Sequence, residues 1–332
     1  MSQQTGKPSK RRWPARAMIV LAALGVVHSA GWYVLARYAE SRAARAIASV
    51  NDGSGMRLNC ENARAIGYPL GLGLRCDTLL AENAGEGVSL STAALQARID
   101  LYDPTLLVGE FDSGARLVAR GVRPLVFDWR RFLTEVRMAT PLPREIRTTL
   151  SRLNAYLAGD SGLEALLLSA DDLAVSARPE GPALEIAADA RGVLPDRSLA
   201  GVDGLPPLDA AVDLVVDDGA RRITSGTDSL RGASGTLRRA RISPGPQGEI
   251  VLEGTFSVSG DGLVDANLAI SVRGAKALSE IAIRLFPDAA GDISSAAASL
   301  EALGENTRLP LRIVAGRASF GFIELGDIPP LP

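Results

Sequence analysis

The sequence predicts an α+β protein: an N-terminal transmembrane helix followed by a mostly antiparallel, curled β-sheet ectodomain with two helical blocks. Three observations carry this expectation. Residues 17–36 hold no formal charge, and twenty residues at about 1.5 Å each match a hydrocarbon core of about 30 Å. Downstream, apolar and polar residues alternate in many short runs, the period of half-buried strands. Two stretches, 129–158 and 276–303, depart from that period toward helical spacing.

The chain opens on a basic tail, residues 1–16, with Lys7, Lys10, Arg11, Arg12 and Arg16. By the positive-inside bias this tail stays in the cytoplasm and residues 17–36 form a single-pass inner-membrane anchor, with the bulk in the periplasm. Arg37, Arg42 and Arg45 beyond the span weaken the bias. Trp13, Trp32 and Tyr33 stand where interfacial aromatics belong. A cleaved signal peptide is the alternative, with "VLA" ending at Ala36 as the cleavage site, but the apolar run exceeds the usual signal core. The following "RYAESRAARAIASV" has few helix breakers and continues the helix away from the bilayer.

The only two cysteines, Cys60 and Cys76, flank the turn Gly67, Tyr68, Pro69. Leu70, Leu72, Leu74 and Cys76 alternate with Gly71, Gly73, Arg75 and Asp77, and Met56, Leu58 and Cys60 share one parity. A hairpin reversing at Tyr68 sets Cys60 opposite Cys76 and Ile66 opposite Leu70, close enough for a disulfide in an oxidising compartment. Two buried free thiols are the alternative; no neighbouring histidine or third cysteine offers a metal site. Gly71 and Gly73 flatten one strand face for close approach of another segment.

Strand patterns continue through Leu95, Ala97, Ile99 and Leu101, with turns at Asp103-Pro104 and at 112–114. Within 129–158, Ile146, Leu150, Leu153 and Leu157 recur at helical spacing after Pro141 and Pro143. Strands return at 166–175 and 184–188. The Pro/Gly-rich segment 191–208 reads as a linker between a first β-rich lobe, 37–190, and a second, 209–332. The second lobe contains the clearest hairpin: Ile250, Leu252, Gly254, Phe256 and Val258 face Val264, Ala266, Leu268, Ile270 and Val272 across a turn at 260–262. Helical "KALSEIAIRLF" and "SSAAASLEAL" precede a last hairpin, "LPLRIVAGRASFGFIEL".

Composition excludes several functions. The single histidine, His28, lies inside the apolar span, so histidine-based nucleophilic catalysis has no imidazole in the external part. Beyond residue 36 there are 31 basic and 38 acidic residues, and no basic tract suggests nucleic acid. The neighbours Asp171-Asp172 and Asp217-Asp218 point to opposite faces of a strand and make poor acid/base pairs. No phosphate-binding glycine loop occurs, and no cofactor, metal ligand set or catalytic residue is expected.

The span ending in "GWYVLA", the segment "CENARAIGYPLGLGLRC", "ARIDLYDPTLLVGEF" and the closing "LPLRIVAGRASFGFIELGDIPPL" together resemble the membrane-anchored bacterial family called domain of unknown function twenty-one twenty-five. Where many relatives carry Phe after Gly-aromatic-Pro, this chain has Leu70. The resemblance implies a membrane-anchored envelope protein and no particular activity. The anchor and the long strands are more distantly similar to AsmA-like envelope proteins, whose curled sheets resemble lipid conduits. Two functions are expected to compete: a noncatalytic protein that binds lipid or another envelope component through an apolar sheet face including Phe256, Val258, Leu268 and Ile270, and a carboxylate-dependent envelope hydrolase.

Overall fold

The computed structural model describes residues 13–53, 55–83, 85–159, 162–227, 229–246, 248–304, 308–320 and 323–331. Lys7, Lys10, Arg11 and Arg12 of the basic tail lie outside the described residues. Helix α1 runs unbroken from Trp13 to Gly53, joining the apolar run to the "RYAESRAARAIASV" extension. Its stretch Ala17–Asp52 is long and apolar enough, by length and composition, to cross a bilayer.

Among the described residues, twenty strand segments then form one open antiparallel sheet in which chain neighbours pair in turn. The first ten are halves of long bent strands. β1 (Met56–Glu61) and β2 (Arg64–Ile66) pair with β4 (Thr78–Asn83) and β3 (Gly71–Cys76). β5 (Val88–Thr92) and β6 (Leu95–Asp100) follow, then β7 (Asp103–Phe111) and β8 (Ala115–Ala119), then β9 (Val122–Asp128) and β10 (Arg131–Arg137). Both β9 and β10 line one edge of β11 (Glu145–Gly159). At this fork Trp129, 7% exposed, packs edge-on against Phe132 and donates its indole N–H to the Phe111 carbonyl at 3.1 Å.

The stretch 129–158, expected to be helical, is therefore strand β10, a turn and strand β11. The apparent helical spacing consists of two pairs, Ile146/Leu150 and Leu153/Leu157, each separated by four residues, a spacing that a strand satisfies as well as a helix does. The parity change between the pairs coincides with Arg152, whose φ is 51°. β-Branched Thr148 and Thr149 favour the extended form, and complete ladders to β10 and β12 make it the lower-energy choice.

β12 (Gly162–Glu180) and β13 (Ala183–Pro195) form a long hairpin. Residues 191–195 of the expected linker belong to β13; short helix α2 (Arg197–Ala200) follows, and β14 (Leu208–Val216) pairs back onto β13, so the ladder is continuous here. Helix α3 (Gly219–Thr224) leads to β15 (Ser234–Pro244), β16 (Glu249–Val258) and β17 (Val264–Arg273). β16 and β17 pair in the expected register, Gly254 opposite Leu268 and Phe256 opposite Ala266. Helices α4 (Ala275–Leu285) and α5 (Ala290–Leu303) pack on each other, and β18 (Arg308–Val314), β19 (Arg317–Phe320) and β20 (Ile323–Asp327) end the sheet.

The cysteine hairpin forms with its register shifted. Ile66 faces Gly73 rather than Leu70, a slip of three residues, because the turn spans Gly67 to Gly71 and closes with the Gly71 N–H donating to the Gly67 carbonyl at 2.7 Å. An odd slip exchanges the faces, so Ala65, opposite Leu74, rather than Ile66 shares the leucine face. Cys60 stands opposite Leu79 rather than Cys76, yet the two cysteines are bonded, with Cα atoms 5.4 Å apart. The bend at Asn62 and Asp77 brings them together: Asn62 takes a φ of 53°, and the Asp77 N–H donates to the Glu61 carbonyl at 2.9 Å.

Candidate functional site: an apolar sheet face joined to the N-terminal helix

In antiparallel ladders, directly opposed residues lie on the same face of the sheet. One transverse row starts at Leu72 on β3 and continues through Ile99, Leu107, Val136, Ile146 and Ala177. It proceeds through Ile186, Leu214, Leu237, Gly254, Leu268, Leu311 and Phe320 on β19. No member is charged or polar. The next row, two residues along each strand, begins at Leu74 and Ala97 and ends at Leu252, Ile270 and Leu309, with only Thr134 and Thr148 carrying hydroxyls. At the strand spacing of about 4.8 Å, the first row is roughly 55 to 60 Å long.

Phe256, Leu268 and Ile270, expected on an apolar binding face, are all half-buried on this one, while Val258 is closed off at 5% exposed. Phe256 lies over the β15 backbone, where a Cβ on Gly235 would come within 2.7 Å of its ring. Among the described residues no large side chain is less than 2% exposed, and the buried apolar residues are mostly alanines. The chain exposes 21501 Å², against about 13,000 Å² for a compact monomer of its mass. The protruding helix raises that area, and so does a sheet face with no second layer over it.

The opposite face is an ion-pair lattice. Arg238 binds Glu185 at 2.6 Å, and Arg178 reaches the same carboxylate at 3.5 Å. The Arg238 guanidinium holds the Glu185 carboxyl below its ordinary range. Glu249, the one buried charged residue among those described, is paired with Arg273 and lies 3.6 Å from Arg239. Charge is thus segregated to one side, which leaves the two rows on the other free of it.

At the N-terminal end of the apolar face the disulfide-bonded hairpin docks on α1. The Trp32 indole N–H donates to the Gly71 carbonyl at 2.8 Å and the ring packs edge-on against Tyr68, centroids 5.4 Å apart. His28 Nε2 lies 2.8 Å from the Pro69 carbonyl, an acceptor, and so carries the proton. Ser29 gives its proton to the Gly25 carbonyl, so the Tyr68 hydroxyl, 2.9 Å away, donates to Ser29. Further along, the Ala65 N–H donates to Glu40 and the Leu58 N–H to Asn51. Glycine is required at two points: a Cβ at Gly67, φ 102°, would meet the Gly71 backbone at 2.8 Å, and one at Gly73 would meet the Ala97 carbonyl at 2.4 Å. The expected close approach at Gly73 is therefore that of β6.

The sequence shows only that His28 lies inside the apolar span and that Gly67, Tyr68 and Pro69 turn a hairpin. Their joint role as a helix-to-sheet lock was not legible, because it needs residues about forty positions apart to meet. Between α1, the 67–71 turn and the turn before Pro104 lies an apolar cleft of about 420 Å³. A separate, polar cleft of about 350 Å³ holds Asp172 and Asp189 with Arg131 and Arg191; Asp172 stands opposite Arg191 in the ladder. No cluster of three or more His, Cys, Asp or Glu able to hold a metal occurs among the described residues.

These features define a class: an open, amphipathic antiparallel sheet with one aliphatic face, locked by a disulfide-bonded hairpin to an apolar N-terminal helix. Within it, the chain belongs to the bacterial family described as "Uncharacterized protein conserved in bacteria (DUF2125)", whose model matches residues 32–329. No curated protein and no solved structure matches the chain, and the expected likeness to AsmA-like envelope proteins is not shown.

Proposed function

We propose that this is a noncatalytic, membrane-anchored envelope protein, N-terminus in the cytoplasm and bulk in the periplasm, whose aliphatic sheet face binds the acyl chains of a lipid. The observation that carries this reading is the uncharged row from Leu72 to Phe320 with no second layer across it, since extended open apolar surface on a folded protein marks a binding site. Retention of the anchor is supported by the hydrogen bonds of His28, Ser29 and Trp32 to the hairpin. Ala36, the alternative cleavage point, is 4% exposed, and cutting there would release those partners. The Cys60–Cys76 bond supports an oxidising compartment.

Two measurements test the reading. Native mass spectrometry of the full chain is expected to find bound lipid that Leu268→Asp removes; equal lipid on both would refute the sheet face as the site. A reporter fused after Pro332 is expected to be active only outside the cytoplasm, and cytoplasmic activity would reverse the orientation. The second reading, a carboxylate-dependent envelope hydrolase, would use the Asp172/Asp189 cleft. Glycan turnover abolished by Asp172→Asn would favour it, whereas an envelope protein seated on the sheet face would appear as a stoichiometric complex lost in Leu268→Asp.

A further inference from the structure

The apolar cleft beside α1 begins where the bilayer should still be. From Ala17 to His28 the helix is exposed on all sides, and protein contact starts at His28 and Trp32. The eleven steps from Ala17 to His28 rise only about 16 Å, half of a hydrocarbon core of about 30 Å. If α1 crosses the bilayer, the turns at 67–71 and 101–102 therefore sit inside the outer leaflet. Their surfaces agree: Tyr68, Leu70, Leu101 and Tyr102 are 56%, 47%, 64% and 82% exposed, an aromatic and aliphatic collar that water would not favour. The two turns are tied together, the Leu101 N–H donating to the Leu70 carbonyl at 2.9 Å.

The cleft enclosed by this collar is walled by Trp32, Leu35, Leu70, Leu72, Ile99 and Leu101, with Asp100 and His28 as its charged and titratable groups. Its volume of about 420 Å³ falls in the range of small-molecule sites. Leu72 and Ile99 are also the first two members of the longest apolar row. One wall of the cleft is thus the start of the sheet face.

We propose that this cleft is a lipid port: it takes an acyl chain of a membrane phospholipid directly from the outer leaflet and passes it to the aliphatic row beginning at Leu72. The port rests on the lipid-binding reading of the sheet face, and its test separates the two. The full chain is reconstituted in vesicles of equal parts phosphatidylethanolamine and phosphatidylglycerol carrying a phosphatidylethanolamine with a diazirine on one acyl chain. After irradiation, labelled peptides are mapped by mass spectrometry. A second arm supplies a soluble diazirine fatty acid to the detergent-purified chain.

In the wild type, vesicle lipid is expected to label residues 68–72 and 99–104 and also strand 264–273. Gly31 lines the cleft, and an added Cβ there has no atom within 4 Å, so Gly31→Trp plugs the port without displacing the backbone. In Gly31→Trp the strand label from vesicles is expected to be lost while the soluble fatty acid still labels the strand. Strand label from vesicles that is equal in wild type and variant, or a wild-type collar without label, overturns the port and leaves the sheet-face reading standing. A wild-type strand labelled by neither probe overturns both. Should Gly31→Trp lose the soluble-probe label, which would signal misfolding, Leu101→Trp on the opposite wall replaces it, read by the same two arms.

Discussion

Replacing Leu268 by Asp separates an open sheet face from a closed core. Leu268 stands between Gly254 and Leu311 in the uncharged row and is half-buried. Full burial of a leucine is worth about 1.5 to 3 kcal/mol, so half-burial gives about 1 to 1.5 kcal/mol to lose. On an open face the new carboxylate keeps its water and adds little, so the expected total is about 1 to 2 kcal/mol, or a fall in Tm of about 1.5 to 3 °C for a chain of this size. Val258→Asp is the internal reference. Val258 is 5% exposed on the same face, and there a carboxylate is taken out of water without a partner, at a cost of about 3 to 5 kcal/mol or more. Thermal unfolding of both variants in one detergent, followed by circular dichroism, is expected to place Val258→Asp far below Leu268→Asp. Equal and severe loss in the two would mean that the face is covered, and the lipid-binding reading would fall with it.

Non-reducing peptide mapping should find the Cys60 and Cys76 peptides joined, and replacing both by Ser should cost about 3 kcal/mol for a loop of this length; two alkylatable thiols would refute the bridge. Arg152, at a φ of 51°, should be relieved by Arg152→Gly, raising stability by about 0.5 to 1 kcal/mol where Arg152→Ala gives no gain; the reverse order in a denaturant titration would contradict the kink. The hydrogen bond from Arg64, aided by Asn62, holds the Asp77 carboxyl below its ordinary range. With the folded value depressed, its stabilisation is complete above the unfolded carboxylate pKa and is lost as pH falls through the folded one. The stability gap between wild type and Asp77→Asn should therefore close on acidification below the unfolded value, and a gap that widens there would refute the pairing.

What the sequence determined by itself was whatever depends on near neighbours. The charge-free run to Ala36, the hairpin pairing Ile250 with Val272, the glycine turn at 260–262 and the helices around Ala275–Leu285 and Ala290–Leu303 follow from periodicity and turn chemistry within some twenty residues. Near neighbours also sufficed to place Cys60 and Cys76 on one hairpin. They did not suffice for its register, because the five-residue closure from Gly67 to Gly71 is decided by backbone geometry that leucine alternation does not encode. Nor did they decide Ile146 to Leu157, where a spacing of four suits helix and strand alike, and only the β10 and β12 ladders favour the strand.

The candidate site lay still further from view. Each strand shows its own alternation, but that the apolar positions of thirteen strands align into one row is a property of cumulative register. Every bulge, such as the one between Asp213 and Leu214, either preserves or destroys that alignment. The lock of His28, Ser29 and Trp32 on the Gly-Tyr-Pro turn likewise exists only once α1 lies along the hairpin. Local pattern specified which residues are apolar; the tertiary structure decided that they form one continuous surface and that it begins at the N-terminal helix, because both depend on contacts whose partners the chain brings together only on folding.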